Sequence, residues 1–138
     1  MILVAQELLG VLARWLHIAS AVLLVGGLAY ARAVAVPALE TLPDDERAEA
    51  WRRLAWRFRL LAHAAIAGLL VSGVSNFMTN PGHTQFYHVL FGVKMLLAAV
   101  AFAASLLAVK ESKPIWMTSA VISGFLVILL AAYLRRTY

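Results

Sequence analysis

The chain has 138 residues, 63% of them hydrophobic and 14% charged, with a mean hydropathy of +0.84. A soluble domain carries about 25% charged residues, so this sequence cannot clothe itself in polar surface and reads as an integral membrane protein without a separate soluble domain. The net charge of +5 sits on basic residues that flank apolar runs, which fits lipid headgroups rather than nucleic acid, and the lack of cysteine excludes disulfides, thiolate metal sites and Cys nucleophiles.

The opening stretch, residues 1–13, is apolar apart from Gln6 and Glu7, and either lengthens the first helix or lies along the interface. Seventeen residues without a formal charge separate Arg14 from Arg32, bracketed by Trp15 and Tyr30. That length suffices to cross a bilayer core, with aromatics where the interfaces would fall. The first span is expected over about residues 11–36, with Pro37 ending it. His17 lies inside it, and the pair Gly26-Gly27 suggests a second helix approaching closely. Ala29-Tyr30-Ala31 resembles a signal-peptidase site, but Glu7 is the only charge before Arg14, so the span is expected to be retained.

Residues 40–59 hold most of the charge. Thr41-Leu42-Pro43-Asp44 fits a capping box with Asp in place of Glu. Trp51, Leu54, Ala55, Phe58 and Ala62 then recur at helical spacing, while Arg47, Arg52, Arg53, Arg57 and Arg59 take other faces. This pattern predicts an amphipathic interfacial helix over about residues 43–59 that runs on into the second span, 60–78. Thr79-Asn80-Pro81-Gly82 is a turn signal. A third span, 89–109, is interrupted only by Lys94; after a short polar turn at 110–114, the fourth covers 115–134.

Four spans with short connections predict an all-α, integral membrane four-helix up-down-up-down bundle, residues 1–138 forming one transmembrane domain. Small residues available for helix contacts are Ala19, Gly26, Gly68, Ser72, Gly92, Ala99, Ser119 and Ser123. Arg32, Arg47, Arg52, Arg53, Arg57, Arg59, Lys110 and Lys113 fall on one side, against Arg14, Arg135 and Arg136 on the other. Positive charge stays inside, so both termini are expected outside, in the periplasm if the membrane is a bacterial inner membrane.

At 1.5 Å per residue, His17 lies about 9 Å outward of its span's midpoint and Lys94 about 7 Å outward of its own. Met78, His83 and His88 fall further out and Met95 follows Lys94, which makes an outer constellation; His63 stands apart near the inner face. Imidazole and thioether suit copper, giving His17, His88, Met78 and Met95 as candidate metal ligands. Imidazoles on facing helices could equally hold a haem iron, with His17, His88 and Lys94 as cofactor-binding residues. Lys94 needs explanation most, because no acidic side chain occurs inside any span and a haem propionate would satisfy it.

Trp15-Leu16-His17, Gly26-Gly27 and Pro37 resemble the first-span pattern of the copper-resistance protein D (CopD) family. The Arg-rich approach Arg52–Arg59, the pair Ser72-Gly73 and Gly92-x-Lys94 look like the same four-helix module, so the likeness covers Arg14 to about Lys110. The related HemJ-type membrane proteins bind haem b and act in protoporphyrinogen oxidation. The resemblance therefore implies haem b or copper bound in the outer half of the bundle. The alternative is a non-catalytic accessory subunit of a larger membrane complex, or a homo-oligomer. No carboxylate pair, nucleophile–base arrangement or phosphate loop equips the chain as an enzyme on its own.

Overall fold

A computed structural model describes residues 1–78, 84–111 and 114–136. The expected turn at 79–82, together with His83, lies outside the described residues, as do Ser112 and Lys113 of the polar turn. The described residues form four helices: the first over Ile2–Leu39, the second over Asp44–Met78, the third over Gln85–Glu111 and the fourth over Pro114–Arg136. All four are long and apolar enough to cross a membrane. The first packs mainly on the second and the third mainly on the fourth, while first–fourth and second–third contacts close the ring. This is an up-down-up-down bundle in which the first and third helices are diagonal.

The first helix is longer than expected. Residues 1–12 are helical from Ile2 onward and fully exposed, so they extend the span rather than lie across it. At its other end, Pro37 does not stop the helix. Two wide turns interrupt the ordinary pattern, at Val22–Gly26 and at Ala31–Ala35, and the second ends two residues before Pro37. Proline removes one backbone donor and crowds the carbonyl four residues back, so a local widening lets the chain carry on to Leu39. Thr41 then donates its hydroxyl to the Ala38 carbonyl at 2.8 Å. The expected capping box is therefore not formed, because Thr41 turns back to close the first helix instead of opening the second. The second helix begins with Asp44, Asp45 and Glu46, whose carboxylates suit the positive end of the helix dipole.

The Arg-rich segment and the second span form one unbroken helix. At 35 residues it is about 52 Å long, well beyond a hydrocarbon core of about 30 Å, so its charged half must emerge from the bilayer. Its amphipathic pattern is realised in the packing. Ala55 and Ala62 are buried and Trp51, Leu54 and Phe58 half-buried, while Arg52, Arg53, Arg57 and Arg59 are exposed. The third helix starts four residues before the expected residue 89, because Thr84 caps it: its hydroxyl accepts the Tyr87 N–H at 3.3 Å. Pro114 opens the fourth, a position where its missing N–H costs nothing.

The core is built from small side chains. Leu24, Leu28, Ala62, Ala65, Ala104 and Ala120 form a buried layer drawn from all four helices, and Ala31, Ala108 and Met117 form a second towards the Arg-rich end. Small residues let helices approach closely where lipid supplies no hydrophobic drive between them. Of the expected glycine pair only Gly27 serves this purpose. A Cβ there would meet the Phe58 ring at 2.5 Å, whereas one on Gly26 would meet nothing within 4 Å. Gly68 abuts Ser20 and Gly124 abuts Val25, but Gly92 faces open space and Ala99 is exposed.

Candidate functional site

His17 sits in the first half of the first helix, half-buried against the second. Its Nδ1 is 2.9 Å from Oγ of Ser72, a residue only 1% exposed. Ser72 Oγ also lies 2.6 Å from the Gly68 carbonyl and 3.3 Å from that of Leu69. A carbonyl can only accept, and a hydroxyl has one proton, so Ser72 donates along its own helix and accepts from His17. The imidazole proton is thereby fixed on Nδ1. The Nε2 lone pair is left as the reactive position of the ring, the arrangement seen when a histidine serves as a ligand. Glycines make the approach possible. Gly68 leaves room for Ser20, and Gly73 lies beside the ring, with a Cβ there 3.9 Å from His17 Cε1.

Lys94 is half-buried in the third helix, diagonal to the first. No hydrogen bond or ion pair satisfies it among the described residues. An ammonium in an apolar interior costs several kcal/mol unless it is paired, so the position calls for an anion or for water. Residue counting put His17 and Lys94 at similar depths in one outer constellation. They come from non-adjacent helices, and the direct partner of His17 is Ser72.

The other candidates lie elsewhere. His88, in the first turn of the third helix, is exposed, with Tyr87 edge-on to it at 5.9 Å. Tyr87 and Phe77 both stack on Phe91, which ties the second and third helices together at this end. Met78 is 75% exposed and Met95 42% exposed, so both lie on the outside of the bundle. His63 is exposed towards the Arg-rich end and donates Nδ1–H to the Arg59 carbonyl at 2.6 Å. Among the described residues no three or more His, Cys, Asp or Glu side chains gather where they could hold a metal ion.

The site is thus one oriented imidazole and one unpaired ammonium in an apolar bundle. Sequence reasoning singled out both as candidates and read Ser72 only as a small contact residue and part of a motif. The available signal was depth: Ser72 lies six residues before the end of the second span, and His17 a similar distance inside the start of the first. Comparison of the chain with protein-family models, curated proteins and solved structures finds no match.

Proposed function

We propose that this is a small integral protein of a bacterial inner membrane, similar to CopD- and HemJ-type proteins, that binds haem b at His17 with both termini periplasmic. The observation that carries the reading is the His17–Ser72 hydrogen bond, which keeps the proton on Nδ1 and leaves Nε2 free to ligate. Copper, the other candidate, fits the donor set less well. A bare cation would meet a single interior imidazole and be repelled by Lys94, while Met78 and Met95 are exposed. Haem iron can be held by a single imidazole, and haem carries propionates that an ammonium would neutralise. His17 would hold the iron through Nε2, Lys94 would hold a propionate, and Ser72 would fix the plane of the imidazole. When bound, haem supplies a one-electron redox couple that the side chains alone lack.

A second reading has its own support. The His17–Ser72 bond joins two helices, and such polar contacts act as glue in membranes. On that reading the chain is an accessory subunit of a larger membrane complex or a homo-oligomer, and His17 is structural.

One experiment separates them. The protein is expressed with added haem and copper, and its visible spectrum and copper content are measured after purification. A Soret band with about one haem per chain is expected. Stoichiometric copper without haem would move the function to metal binding, and neither would leave the accessory role.

A further inference from the structure

At the opposite end of the bundle from His17, a cleft of about 1550 Å³ opens between the end of the first helix and the charged half of the second. Val36 and Leu39 line it on the first helix, and Leu106 contributes an apolar wall from the third. Along the second helix, Arg52, Trp56, Arg59 and His63 follow one another at intervals of four, three and four residues. They therefore share one face, and all four are exposed and line the cleft.

The charges in the cleft are unevenly matched. Glu40 and Asp44 line the part at the helix junction, where Asp44 is paired with Arg47. Arg52 and Arg53 share the single carboxylate of Glu49 in exposed pairs, a kind that holds only weakly. Arg59 has no acidic partner among the described residues, and its guanidinium lies 5.7 Å from the Trp56 ring. Positive charge is therefore left over where the helix changes from charged to apolar. Immediately beyond, the apolar Leu60 and Leu61 are exposed at 77% and 51%.

We infer that this cleft binds one anionic phospholipid from the surrounding leaflet, its phosphate on Arg52 and Arg59 and its chain along Ala55 and Leu106. Guanidinium groups match phosphate oxygens, tryptophan settles at the headgroup level, and Leu106, 40% exposed, offers an apolar surface to an acyl chain. A soluble anion would use the charges but leave the apolar wall in water. The site shares no residue with the haem site and does not depend on it.

The test uses the full chain reconstituted in phosphatidylcholine vesicles, or in vesicles of phosphatidylcholine mixed equally with phosphatidylglycerol. Lipids kept through mild detergent extraction are counted by native mass spectrometry. One phosphatidylglycerol per chain is expected to be retained in preference to phosphatidylcholine. The double variant Arg52→Gln/Arg59→Gln should lose it by about 30-fold, on the scale of two interfacial arginines. Arg57→Gln, exposed but outside the cleft, should keep it. Equal retention of phosphatidylcholine, no retained lipid, or an equal loss in Arg57→Gln would overturn the proposal. So would dimers that disappear in the double variant, because a second copy of the chain would then fill the cleft.

Discussion

His17 and Ser72 are joined by a relay of single protons: imidazole to hydroxyl, then hydroxyl to the Gly68 carbonyl. Removing the middle member separates the structural role of the relay from its role in binding. Ser72→Ala deletes one interhelical hydrogen bond, which in membranes averages about 0.6 kcal/mol, so unfolding in a denaturing detergent should shift only slightly. It also frees the ring to rotate and to exchange tautomers. Loss of such an outer partner typically lowers ligand affinity about 10- to 100-fold, and haem titration of the variant should fall in that range. A large stability loss with unchanged haem affinity would mark His17–Ser72 as glue alone. Trp51 shows the other face of this chemistry. Its Nε1 is buried with no partner among the described residues, and the small void near it is lined by apolar groups.

At the scale of helices, the adjacent residues Gly26 and Gly27 provide an internal control. Gly27→Leu would drive a side chain into the Phe58 ring and push the first and second helices apart. Overpacking of this kind costs about 1–3 kcal/mol, and the protein should unfold at correspondingly lower denaturant. Gly26→Ala meets open space and replaces a poor helix former, so stability should stay level or rise by up to about 1 kcal/mol. Equal effects at the two positions would refute the packing described. The same pair shows what the sequence made legible. Apolar length and the spacing of Trp51, Ala55 and Phe58 announced the helices and the buried face of the second, because burial follows periodicity. Which of two neighbouring glycines touches another helix depends on rotation about the helix axis. The wide turn at Val22–Gly26 alters that rotation without any residue type marking it. Pro37 and Thr41 misled for a related reason: each has two local uses, and tertiary packing chose between them.

For the whole molecule, four crossings put Met1 and the fourth helix's end on one side and the Arg-rich helix on the other. Fused reporters at Met1 and at Glu49 should report opposite compartments, with Glu49 cytoplasmic. A cytoplasmic Met1 would reverse the orientation and carry His17 to the inner leaflet. The helices that carry His17 and Lys94 were legible from the apolar segments. Their placement on diagonal helices was not, because the order of helices around a bundle is set by which faces pack. The claim that organises the rest is that His17 holds a redox group. It is tested most directly by loading wild-type protein and His17→Ala with haem under identical conditions and comparing their Soret absorbance per chain. Four apolar helices remain in the variant, and losing an imidazole does not hinder insertion, so both proteins should be recovered folded from the membrane. The account predicts a Soret band in the wild type and none in His17→Ala. A band of equal strength in both would contradict it.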